Sequence, residues 1–72
     1  MATNNIREFR EKSGLSQRAL AEMIGVTQGA VGHYEKGRRT PALDVCRVIV
    51  AAFRRRKCKC TIDDVFPIQK SA

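Results

Sequence analysis

Apolar side chains recur at helical spacing along most of this chain, and the breaks between runs fall at glycine or beside proline. Asn5, with Glu8 three residues on, fits a helix N-cap with an acidic partner. Ile6 and Phe9 then share a face, and Gly14 stops the run, so the pattern predicts a first helix over 6–13. Ser16 caps a second helix, in which Leu20, Ala21 and Ile24 lie at helical spacing up to Gly25. Thr27 caps a third, which carries Val31 and Tyr34 inward and ends at Gly37. Pro41 suits the first turn of a fourth, over about 42–53, because its missing N–H has no partner to lose there. Thr61 and Asp64 resemble a capping box opening a short last helix that stops before Pro67. Strand alternation, internal repeats and low-complexity tracts are not found. The expectation is a compact all-α, five-helix domain over 5–68, with 1–4 a flexible arm and 69–72 a tail.

The stretch 17–36 satisfies several steric demands at once. Two helices that cross steeply need a small residue where they touch, and Ala21 is placed there. The turn between them needs a residue that tolerates positive φ, and Gly25 is placed there. Leu20, Ile24, Val26, Val31 and Tyr34 supply the apolar contacts that lock the pair onto a core. This is the helix-turn-helix arrangement, whose second helix lies in the DNA major groove.

Composition and charge sharpen that reading. At 72 residues the chain is one small domain, and a chain this short buries only about 60% of the surface it exposes unfolded. Pairing with a copy of itself is therefore expected. A net charge of +7 points to a polyanion, nucleic acid ahead of an anionic membrane. No apolar run is long enough to span a bilayer, and no signal-peptide pattern opens the chain. The odd count of three cysteines then implies reduced thiols and a cytoplasmic setting. Cys46 reads as core, and Cys58 and Cys60 as free thiols, because a structural zinc needs four ligands and only Cys46 and a distant His33 remain. One histidine, with no nucleophile–base pairing and no phosphate-binding loop, gives an enzyme almost no support. Neither a cofactor nor a small-molecule ligand is expected.

The stretches Leu15-Ser16-Gln17, Gly25-Val26-Thr27-Gln28 and Glu35-Lys36-Gly37, together with Pro41, carry a family likeness. Over roughly 6–66 the chain resembles the Cro/repressor family of phage and bacterial regulators, the lambda-repressor-like domain. The resemblance implies a sequence-specific transcriptional regulator that binds duplex DNA, and it maps the family's buried ion pair onto Arg10 and Glu35. With no second domain after residue 72, a Cro-like repressor is expected in place of a cleavable one. The family fold also serves antitoxins, restriction-modification control proteins and protein-binding coactivators, which form the alternative reading.

With Val31 and Tyr34 inward, helix three turns Thr27, Gln28, Gly29, Gly32, His33 and Lys36 outward. Gln28 suits a bidentate contact to adenine and His33 a contact to guanine, while Thr27 offers a methyl to thymine or a hydroxyl to phosphate. The resemblance implies that Gln17 braces Gln28 while touching a phosphate. Gly29 and Gly32 each cost about 1 kcal/mol relative to alanine inside a helix, which suggests close approach of backbone to the groove. Gly29 falls on a family base-reading position, where it reads nothing by hydrogen bond. Phosphate contacts are expected from Ser16, Gln17 and Arg18 at the start of helix two, and from Lys36, Arg38, Arg39 and Thr40 after helix three.

Helix four carries a core stripe of Leu43, Cys46, Ile49, Val50 and Phe53, and a second apolar stripe of Val45, Val48 and Ala52. A helix apolar on both sides wants cover on both. The second stripe, with Val65, Phe66 and Ile68, is the expected homodimer contact for reading a near-palindromic operator. The link over 54–60 is longer than in the resembled family and very basic. It extends helix four, reaches DNA backbone or stays solvated, and the sequence does not choose among these.

Overall fold

The computed structural model describes residues 4–67. Five helices follow one another: α1 (Ile6–Lys12), α2 (Gln17–Ile24), α3 (Gln28–Glu35), α4 (Leu43–Arg55) and α5 (Ile62–Val65). No strand is present among the described residues. The beginning of the expected arm (1–3), Ile68 and the tail lie outside them.

Local caps explain most of the helix starts. Ser16 Oγ accepts from the Ala19 N–H at 3.0 Å, and Thr27 Oγ1 from the Ala30 N–H at 3.1 Å. Each satisfies one of the four orphan donors at its helix start. The expected capping box opens α5, with Thr61 N–H donating to Asp64 Oδ2 at 2.8 Å and Asp64 N–H to Thr61 Oγ1 at 3.1 Å.

At α1 the cap is not the expected one. Asn5 does not cap with its side chain. Its amide donates to the Asp64 carbonyl and its backbone N–H to the Val65 carbonyl, both at 2.8 Å, fastening α1 to α5. Asn4 caps in its place, accepting from the Ile6 N–H at 3.0 Å. Its amide also donates to the Tyr34 carbonyl at 2.8 Å, so Asn4 belongs to the domain and not to the arm.

The exit from α3 needs a left-handed residue. Gly37, at φ 74°, lets the Arg38 N–H reach the His33 carbonyl at 2.9 Å while its own N–H reaches Tyr34 at 3.1 Å. The same pattern closes α4. There Cys58 N–H donates to Phe53 at 3.0 Å and Lys57 N–H to Arg54 at 2.9 Å, but the left-handed residue is Lys57, at φ 62°.

Phe53, Ile6, Leu20, Ile49, Val31 and Val65 are the large side chains fully buried at the centre. Phe9 stacks on Phe53 with ring centroids 6.4 Å apart. Two expectations for α4 fail. Leu43, expected in the core, is 61% exposed, and Ala52, expected on the outer face, is 4% exposed. At about 100° per residue the buried arc runs from Ala52 through Ile49, Phe53 and Cys46 to Val50, and Leu43 lies just outside it. Val65 also leaves the expected dimer contact, because it is buried against the start of α1. Cys46 is core as expected, and Cys60 joins it. Burial raises both thiols above their ordinary pKa of 9.0.

Candidate nucleic-acid interface

The third helix has two chemically distinct sides. Ala30, Val31, Tyr34 and Glu35 are buried against the domain. Thr27, Gln28, Gly29, His33 and Lys36 are exposed, and Gly32 is partly so. Between α3 and the start of α2 runs an open groove of about 370 Å³, lined by Gln17, Gln28, Gly29, Gly32, His33, Lys36 and Arg38. Residues expected to read bases and residues expected to hold phosphate thus share one concave surface.

Its glycines are not demanded by the domain itself. A Cβ at Gly29 would meet nothing nearer than Thr27 Oγ1 at 4.0 Å, and one at Gly32 would lie 3.8 Å from Gln17 Nε2. Both are ordinary van der Waals distances, so packing within the chain leaves room for alanine at either position.

Behind the groove, a chain of polar contacts sets the angle between the helices. Glu35 Oε2 accepts from Arg10 Nε at 2.6 Å, and Glu35 Oε1 from Gln17 Nε2 at 3.0 Å. Arg10 Nη1 also donates to the Leu15 carbonyl at 2.8 Å, pinning the corner between α1 and α2. The Arg10 and Glu35 side chains are only 12% and 5% exposed. This pair sits where the sequence likeness put it. Gln17 does not brace Gln28 as expected: its amide N–H donates to Glu35, and its Oε1 stays available at the groove.

The structure narrows other roles. The oxygens of Ser16 and Thr27 serve as caps, so toward DNA each offers its hydroxyl proton and, for Thr27, its methyl. Arg18 pairs with Glu22 at 3.8 Å with both side chains at least 70% exposed. Surface pairs of this kind are worth about 0–1 kcal/mol and yield readily to a phosphate. Lys36, Arg38, Arg39 and Thr40 are all exposed on the loop that Gly37 turns. Among the described residues none of the three cations there lies against a carboxylate.

Of the expected dimer residues, Val48 is 44% exposed, and Val45 and Phe66 are half-buried. Ala52 and Val65 are unavailable for the reason given above. The apolar surface that sequence reasoning missed is Leu43. Nothing in the spacing distinguishes it from a core leucine.

Two capped helices with an exposed basic and amide face define a helix-turn-helix DNA-binding regulator. Residues 6–58 match the HTH_3 helix-turn-helix family, and the chain belongs to it. It is 41% identical over 61 residues to an HTH-type transcriptional regulator of Methanothermobacter thermautotrophicus, an alignment covering 85% of this chain and 83% of that one. Identity is 38% over 61 residues to a regulator of the same description from Archaeoglobus fulgidus, covering 85% and 80%. With the HTH-type regulator YgzD of Bacillus subtilis it is 34% over 67 residues, covering 93% and 94%. No helix among the described residues is long and apolar enough to cross a membrane.

Proposed function

We propose that the protein acts as a homodimer on a near-palindromic operator and represses transcription by occluding the polymerase. The observation that carries this reading is the groove holding Gln17, Gln28, His33, Lys36 and Arg38 together over two glycines. Gln28 reads adenine, and His33 reads guanine one turn and a residue further along. Thr27 contacts a thymine methyl. Ser16, Gln17 and Arg18 meet phosphates on one flank, and Lys36, Arg38, Arg39 and Thr40 on the other. Gly29 and Gly32 let the backbone come near the base edges.

Symmetric operators are read by symmetric dimers whose recognition helices lie about 34 Å apart, one turn of DNA. Of the apolar groups expected at the contact, Val48, Val45 and Phe66 keep surface for an isologous contact, and Leu43 adds exposed apolar surface at the start of α4. The pairing is weak without DNA, because a patch of a few side chains offsets little association entropy.

Selection of bound sequences from random duplexes, followed by salt titration on the winner, tests the reading. The expected result is a symmetric motif with a fixed half-site spacing. Affinity should fall by about 10³–10⁵ between 50 and 200 mM salt for some 6–10 phosphate contacts. Enrichment of no motif, together with a flat salt response, would overturn it.

A further inference from the structure

Arg54, Arg55, Arg56, Lys57 and Lys59 fall within six positions that contain no acid, in a chain whose net charge is +7. Most of the positive excess therefore lies outside the helix-turn-helix. These residues occupy the C-terminal end of α4 and the link to α5, and all five are exposed. Among the described residues none of them lies within ion-pair distance of a carboxylate.

The segment is nevertheless held in place. Arg54 Nε donates to the Cys60 carbonyl at 2.8 Å. Arg56 Nε donates to the Ser13 carbonyl at 3.4 Å, across the turn that leads from α1 into α2. Ser13, Arg55, Arg56 and Lys57 line one shallow hollow of about 260 Å³. Ser13 lies three residues before Ser16, the N-cap of α2, so Arg56 is fastened to the turn that leads into that helix start.

Lys57 supplies an independent observation. The other positive-φ residues among those described are Gly14, Gly25 and Gly37. Lys57 adopts φ 62° in the same hydrogen-bonded turn that Gly37 forms after α3. Glycine would take that conformation without strain. What lysine adds there, at a backbone cost of about 1–2 kcal/mol, is a cation on the hollow.

We propose that Arg55, Arg56 and Lys57 bind backbone phosphates of duplex DNA flanking the half-site read by α3. The inference rests on the DNA reading above and extends it to a surface outside the two helices of the helix-turn-helix, α2 and α3. Guanidinium forks match pairs of phosphate oxygens, and lysine serves as a point charge beside them. These contacts carry affinity and salt dependence and leave the choice of base pairs to α3.

The test compares the parent with an Arg55→Gln, Arg56→Gln, Lys57→Gln chain on the selected operator. Two duplexes are used, one ending at the operator boundary and one extended by roughly a helical turn on each side. The parent should bind the extended duplex more tightly, and the variant should bind both alike. The slope of log affinity against log salt should fall by about 0.9 for each phosphate that the variant no longer neutralises, with base-pair preference unchanged. Lys57→Gly guards against a folding artefact, since it should melt several degrees higher than the parent and still show a shallower salt slope. If the triple variant tracks a sequence-selective parent at every salt and both lengths, the flanking contact is refuted and the DNA reading stands. The same holds if it loses affinity equally on both duplexes. A parent with no preferred sequence would overturn both.

Discussion

The side-chain amide of Gln17 donates to the Glu35 carboxylate at 3.0 Å, so the first residue of α2 is fastened to the last residue of α3. The same carboxylate takes Arg10 at 2.6 Å. One buried acid therefore joins three helices behind the groove.

Removing its cation should be severe. Arg10→Met leaves Glu35 charged and only 5% exposed in its side chain, which costs about 3–5 kcal/mol when a buried pair loses one member. Urea unfolding should show that loss. The Arg10→Met, Glu35→Gln chain should recover a large part of it, because no charge is then stranded. A single variant within about 1 kcal/mol of the parent would mean that water already solvates the site.

The glycines of α3 separate folding from binding. Both have room for a methyl group, with nearest atoms at 4.0 Å for Gly29 and 3.8 Å for Gly32. Gly32→Ala should raise stability by up to about 1 kcal/mol, and Gly29→Ala, in the first turn, by less. Each should weaken operator binding if backbone approaches the base edges. Stabilised variants that bind as tightly as the parent would show that the groove does not seat DNA so closely.

Gln28→Ala and Arg39→Ala should fail differently. The first should lose about 1–3 kcal/mol on the best site and relax preference at one base pair. The second should weaken all sequences alike and flatten the salt dependence. Competition assays over single-base operator variants distinguish them, and base pattern and affinity unchanged in both would remove α3 from the groove.

Val48 is 44% exposed, so Val48→Asp should leave the monomer folded while setting two carboxylates across a dimer axis. Sedimentation should give a monomer where the parent pairs, and affinity for the full operator should fall far more than for a half-site. Full-operator affinity equal to the parent's would place the dimer contact elsewhere.

Alkaline pH should act through two thiols. Burial raises Cys46 and Cys60 above their ordinary 9.0, so the native state holds those protons longer than the unfolded chain does. Their contribution is complete below pH 9 and declines as pH climbs through the raised native values. Stability measured by urea from pH 7 upward should decline less steeply in Cys46→Ala, Cys60→Ala than in the parent. Parallel declines would show that other groups govern alkaline unfolding.

What the sequence disclosed was chiefly local. Ser16, Thr27 and Thr61 cap the helices they precede because their oxygens reach N–H groups three residues on. Such bonds depend on little beyond neighbouring residues. The ion pair of Arg10 and Glu35 was reached through family likeness, since nothing local links positions 25 residues apart. Other features depend on how helices meet. Asn5 looks like a cap, yet α5 offers it two carbonyl partners and Asn4 takes over. With apolar residues on both sides of α4, periodicity did not tell the buried Ala52 from the exposed Leu43. The left-handed Lys57 carries no turn signal at all, because lysine is not a residue that such turns select.

The two-sidedness of α3 bears on how such a regulator diversifies. Ala30, Val31, Tyr34 and Glu35 hold the helix to the domain, while Gln28, His33 and Lys36 face solvent. Mutations at the outward positions therefore pass through selection for foldedness almost unopposed. A lineage can drift from one target site to another without ever crossing an unfolded ancestor.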